Sequence, residues 1–190
     1  MININNLLNT NNWFNYQDYY DKISDKNFSI FVEVGVWKGH SISYLTNKLK
    51  EKNKIDSCKI YAVDLFEDTR CPIITTSEQT KGEIKYINEI YNEYLKITNT
   101  RDNITDIKSF SWEAAKFFED ESIDFCFIDA DHSYESVKKD ILSWYPKIKK
   151  GGIIAGHDYS TYHPGVIKAV DELIKNKIVY ESSVWETIKI

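Results

Sequence analysis

Five short apolar runs, each followed by a stretch with helically spaced apolar residues, narrow the folds open to this chain more than any other feature. They are Phe28 to Gly35, Lys59 to Asp64, Ile104 to Ser109, Ile123 to Asp129 and Ile153 to Gly156. A run that is apolar at nearly every position suits a strand covered on both faces, as in a parallel sheet. Ile42, Leu45 and Leu49 predict a helix over Ser41 to Lys52, and Ile84, Ile87, Tyr91 and Tyr94 another over Gly82 to Ile97. Further helices are expected over Ser111 to Phe118, over Tyr134 to Ile148, and along the stripe Val166, Ala169, Val170, Leu173 and Ile174. Gly151 and Gly152 should turn the chain into the fifth strand, and Lys177 to Ile190 reads as a closing hairpin around Glu181-Ser182-Ser183. The expectation is α/β: a seven-stranded, mostly parallel sheet with helices on both faces and an antiparallel terminal hairpin.

Residues 1–28 stand apart, Asn-rich and carrying Trp13, Phe14, Tyr16, Tyr19 and Tyr20. They are expected to form an aromatic helical segment packed on the domain of residues 29–190 or over its site. A net charge of −5 argues against a nucleic-acid partner, whose binding needs clustered cations. No apolar run approaches a membrane span and no signal peptide is evident, so no membrane partner is expected. Cys58, Cys71 and Cys126 are odd in number and widely spaced, which suggests neither a disulfide framework nor a zinc site. A reducing, cytoplasmic location is expected.

In an open α/β sheet, ligands bind beyond the carboxyl ends of the strands. After the first strand, Gly35 and Gly39 permit a tight turn, and Ser41 is placed to cap the next helix. The spacing departs from the GxGxxG fingerprint, and Glu33 would repel a phosphate but suit an ammonium group. Asp64 ends the second strand where a carboxylate can accept from both hydroxyls of a ribose. Ser111 and Trp112, after the third strand, could border an adenine ring, or Trp112 could be core. The fourth and fifth strands deliver Asp129, Asp131, His132, His157 and Asp158 to one edge. Close carboxylates raise one another's pKa unless a cation sits among them, and Mg²⁺ or another divalent ion would serve. The plainer reading makes Asp131 a helix cap, which is preferred for that residue.

FVEVGVWKGHS resembles motif I of class I S-adenosylmethionine-dependent methyltransferases. IDFCFIDADHSYESVKKDILSWYPKIKKGGIIAGHDY, with PGVIKAVDEL after it, resembles the macrocin-type sugar O-methyltransferases and, more distantly, catechol and caffeoyl-CoA O-methyltransferases. The resemblance implies a Rossmann-like fold and transfer of a methyl group to an oxygen of a small-molecule or glycan acceptor. It places Glu33, Gly35 and Gly39 at the methionine end of the cofactor and Asp64 at the ribose. It places metal-binding aspartates at Asp129 and Asp158, and a base at His132. Asp129 would also face the cofactor, and His157 replaces one acid of the sugar enzymes' pair as a possible third ligand. A homodimer is left open. The rival readings are a nicotinamide-dependent oxidoreductase, disfavoured by Glu33 and the missing fingerprint, and a non-catalytic cofactor-binding subunit.

Overall fold

Phe31, Phe125, Phe127 and Ile153 pack on one side of the sheet, while their neighbours Val32, Cys126, Ile128 and Ile154 pack on the other. That period of two is what a strand buried on both faces requires, and it explains the unbroken apolar runs. The computed structural model describes residues 14–66, 91–98 and 103–190. Trp13, Cys71, Ile84 and Ile87 lie outside the described residues.

In chain order the elements are α1 (Gln17–Asp25), β1 (Ile30–Val34), α2 (His40–Glu51), β2 (Lys59–Asp64), β3 (Ile104–Lys108), α3 (Ser111–Ala114), β4 (Ile123–Ile128), α4 (Tyr134–Trp144), β5 (Ile148–Gly156), α5 (Pro164–Leu173), β6 (Ile178–Val179) and β7 (Trp185–Ile188). Residues 91–97, before β3, are also helical. The sheet has seven strands in the order β3-β2-β1-β4-β5-β7-β6. The β1–β2, β1–β4, β2–β3 and β4–β5 pairs are parallel, and β7 runs antiparallel to both neighbours. This is the Rossmann-like arrangement expected from the alternation, with its hairpin. Strand order reverses between β1 and β4, which opens a crevice at their carboxyl ends.

α1 and α2 cover one face, burying Tyr19, Tyr20, Ile23, Ile42, Leu45 and Leu49 against Phe31 and Phe125. α4 and α5 cover the other with Val137, Ile141, Trp144, Val166 and Val170. Each such side chain contributes roughly 1.5–3 kcal/mol on burial.

Three local expectations need correction. Gly151 and Gly152 do not precede the fifth strand but lie inside it, where the β4–β5 register slips between Ile123 and Phe125. Ser41 is not a cap: α2 starts at His40, preceded by Gly39 in the left-handed region at φ 78°. Asp131 is not the cap of α4 either. Ser133 takes that place, accepting from the Ser136 amide, while Asp131 folds the preceding turn by accepting from the Ser133 amide at 2.8 Å. No helix among the described residues is long and apolar enough to cross a membrane.

Candidate active site

A cleft of about 640 Å³ lies where strand order reverses, lined from the loops after β1, β2, β3, β4 and β5. Gly35, Gly39, Ser41, Asp64, Ser111, Trp112, Asp129, His132, His157 and Asp158 all border it. Glu33 does not.

The pleat explains the exception. Glu33 shares the Phe31 face of β1, so its carboxyl turns beneath α1 and α2 rather than into the cleft, and it is 3% exposed. Tyr20 donates to it at 2.8 Å, and the Ser41 hydroxyl, freed from any capping role, donates to its other oxygen. Burial pushes this carboxyl up to about 8, against the pull of the Ser41 and Tyr20 hydroxyls, with Asp129 and Asp64 adding like charge. A charge near Glu33 is therefore felt through Ser41, which does reach the cleft.

Asp64 is busier than its position at the end of β2 suggested. One carboxylate oxygen accepts from the Val36 and Trp37 amides at 3.0 and 3.2 Å, and the other from the Phe66 amide at 3.0 Å. It fastens the β1 loop, in which Trp37 adopts φ 43°. A carboxylate offers about four acceptor positions, so after three amides it keeps room for one strong donor rather than two. On the β3 side, Trp112 is not core. Its ring stacks on Phe110 at 5.1 Å and carries the Lys139 ammonium 3.6 Å from its centroid. Ser111 accepts from the Trp144 indole at 2.8 Å.

The tips of β4 and β5 bring the acids and histidines together. His132 Nε2 lies 2.9 Å from Asp158 Oδ2 and 3.9 Å from Asp129 Oδ1, yet it is shielded from solvent and makes no aligned hydrogen bond. Asp129 and Asp158 together hold His132 up at about 10. Burial alone would raise Asp158, but His132 and His157 keep it well below the usual carboxylate range. His157 Nε2 meets the Ser182 carbonyl at 2.9 Å, and Nδ1 sits 3.4 Å from Asp158 Oδ1 and 4.0 Å from Asp129 Oδ1. A carbonyl on Nε2 holds a proton there, and the two carboxylates raise the ring and favour a second proton, or a cation, at Nδ1. Asp158 itself adopts φ 59°, a strained conformation for a non-glycine residue.

A family model described as a methyltransferase domain matches residues 32–159. The chain belongs to that methyltransferase family. An uncharacterized protein of Acanthamoeba polyphaga mimivirus is 28% identical over 156 residues, covering 79% of this chain and 61% of the relative. The chain thus spans less than two thirds of that relative's length. The O-methyltransferase NovP superposes with a TM-score of 0.69 at 16% identity, over 91% of this chain and 78% of its own. A TDP-rhamnose 3'-O-methyltransferase of calicheamicin biosynthesis gives 0.60 at 13% identity, over 97% and 79%. An S-adenosylhomocysteine-bound methyltransferase of Podospora anserina gives 0.60 at 12%, over 90% and 76%. At these identities the likeness is one of fold.

Two residues that reach the acid–histidine cluster escaped the strand-end rule. Tyr16 precedes α1, outside the matched stretch, yet its hydroxyl donates to Asp129 Oδ2 at 3.0 Å and its ring lies 4.6 Å from that of His157. The aromatic cluster of the N-terminal segment was the available signal, but not which ring would reach the site. His163 precedes α5 and stands 3.5 Å from Asp158 Oδ1 with its ring 4.4 Å from that of His132. It belongs to the 159–165 loop, one of the segments from which an acceptor pocket is expected, and the start of α5 at Pro164 brings it back toward the cluster.

Proposed function

We propose that the chain transfers the methyl group of S-adenosylmethionine to a hydroxyl oxygen of a small-molecule or sugar acceptor. The observation that carries this reading is one cleft in which the wall from Asp64 to Trp112 adjoins the acid–histidine cluster at the tips of β4 and β5. Membership of the methyltransferase family and the fold shared with O-methyltransferases support it. The cofactor carries its own leaving group, so the protein's work is positioning and electrostatics. Ser41 and Asp129 would face the methionine end, with Glu33 behind Ser41, and Asp64 would take a ribose hydroxyl.

Calorimetry with S-adenosylhomocysteine tests the cofactor assignment. The wild-type protein should bind it, and Asp64→Ala should weaken binding about 10- to 100-fold by removing a charged acceptor and loosening the β1 loop. Unchanged affinity in Asp64→Ala would remove Asp64 from the site. Labelled cofactor offered with sugar and phenolic acceptors then tests the transfer.

Asp129, Asp158 and His157 fit a divalent cation: one ligand atom from each lies within 4.8 Å of the others. Two carboxylates and an imidazole at one edge are a donor set that first-row divalent metals accept. Such a cation would supply a Lewis acid that lowers the acceptor's pKa. With Asp129 and Asp158 compensated, His132 falls back toward the neutral range and can take the acceptor proton; uncompensated, it stays charged and cannot. A histidine in the set favours Mn²⁺, Fe²⁺ or Zn²⁺ over Mg²⁺. Mn²⁺ binding followed by electron paramagnetic resonance should weaken in Asp158→Asn by at least the roughly 10-fold that loss of an outer-shell partner costs. Equal Mn²⁺ binding by Asp158→Asn would place no ion there.

A further inference from the structure

Tyr16 immediately precedes α1, outside the family-matched stretch of residues 32–159, and borders the cleft. It is 4% exposed. Its hydroxyl donates to Asp129 Oδ2 at 3.0 Å, so that oxygen is occupied from within the protein. The other oxygen, Oδ1, is the one turned toward the histidines, 3.9 Å from His132 Nε2 and 4.0 Å from His157 Nδ1. A phenol donates and an ionised carboxylate only accepts, so the bond has one sense and fixes which oxygen meets the cluster. The torsion that turns an aspartate carboxylate is broad and roughly two-fold. Without such a bond, either oxygen or both would be free to face inward.

The phenol is itself held in place. Its ring packs on Phe14, Phe127 and His157, with centroids 4.8, 5.1 and 4.6 Å away. The helix that follows is fastened to the sheet by Tyr19 on Glu186 at 2.9 Å and by Tyr20 on Glu33 at 2.8 Å. We propose that Tyr16 is a positioning residue: it pins Asp129 so that the carboxylate presents a single oxygen, Oδ1, to a divalent cation shared with His157 and Asp158. This rests on the cation site proposed above and adds to it a residue from outside the family-matched stretch. Such outer partners matter because a ligating group must be held within about 0.5 Å of its working position.

Mn²⁺ titrations followed by electron paramagnetic resonance test it in three proteins. The wild type should bind the ion. Tyr16→Phe keeps the ring and its packing and loses only the hydroxyl, and its Mn²⁺ affinity should fall by about 10-fold or more. Tyr19→Phe loses a comparable buried hydroxyl–carboxylate bond from the same segment, but to Glu186 on β7, which does not border the cleft. It should keep the wild-type affinity within about twofold. Undiminished Mn²⁺ binding by Tyr16→Phe, or an equal loss in Tyr19→Phe, overturns the role of the Tyr16 hydroxyl and leaves the cation site standing. A wild type that binds no Mn²⁺ overturns the cation site and this role with it.

Discussion

Gly35→Ala is expected to yield a protein that has lost S-adenosylhomocysteine binding and about 3 kcal/mol or more of stability. Gly35 adopts φ 84°, in the left-handed region that costs a side-chain-bearing residue about 1–2 kcal/mol. A Cβ there would stand 2.2 Å from the Asp129 carbonyl oxygen and 2.7 Å from the Ala130 Cα. These are backbone atoms, so no rotamer change relieves the clash, and overpacking of this kind costs about 1–3 kcal/mol again. Nor can the loop step aside cheaply. The Gly35 amide is bonded to the Val63 carbonyl at 2.8 Å, and the Asp129 amide to the Val34 carbonyl at 2.8 Å. The separation forced on β1 and β4 falls at the crevice floor, where Asp129 projects. Urea denaturation followed by circular dichroism measures the first effect and calorimetry the second. A wild-type midpoint with wild-type affinity would show that the floor does not depend on this contact.

The second large effect concerns Glu33. Its carboxyl is raised from about 4.5 unfolded to about 8 folded by burial, with Tyr20 and Ser41 opposing and Asp129 and Asp64 reinforcing. A raised acid holds its proton in the folded state after the unfolded chain has released it. Ligand-free stability should therefore fall as pH rises through this window, from about 4.5 to about 8, by an amount on the order of 4 kcal/mol attributable to this group. His132, also raised, loses its contribution at higher pH, so the isolating measurement is a difference. Glu33→Gln keeps the volume and an acceptor, and the gap between its stability and that of the wild type should widen steadily in its favour across the window. A ligand that brings an ammonium group to Ser41 should narrow the gap by stabilising the ionised form. Parallel pH profiles for the two proteins would mean that Glu33 titrates as an ordinary carboxylate.

The fold was legible because its determinants are short-range and periodic. The runs at 31–34, 60–63, 123–128 and 153–156 are nearly all apolar, as strands covered on both faces are, and the helical stripes between them supply the cover. Strand ends are equally local, so Asp64, Asp129, His132, His157 and Asp158 could be assigned to one edge from spacing alone. Which way each side chain points, and what meets it, could not. Glu33 looked like a cleft residue until the pleat set it under α1 with Tyr20. Asp64 looked open until the β1 loop folded back onto it. Tyr16 and His163 reach the site from a leading segment and a helix start, through contacts to residues distant in sequence. Periodicity reports the environment of a residue along its own element, whereas a site is made where separate elements converge, and that convergence is decided only when the two packed faces close around the sheet.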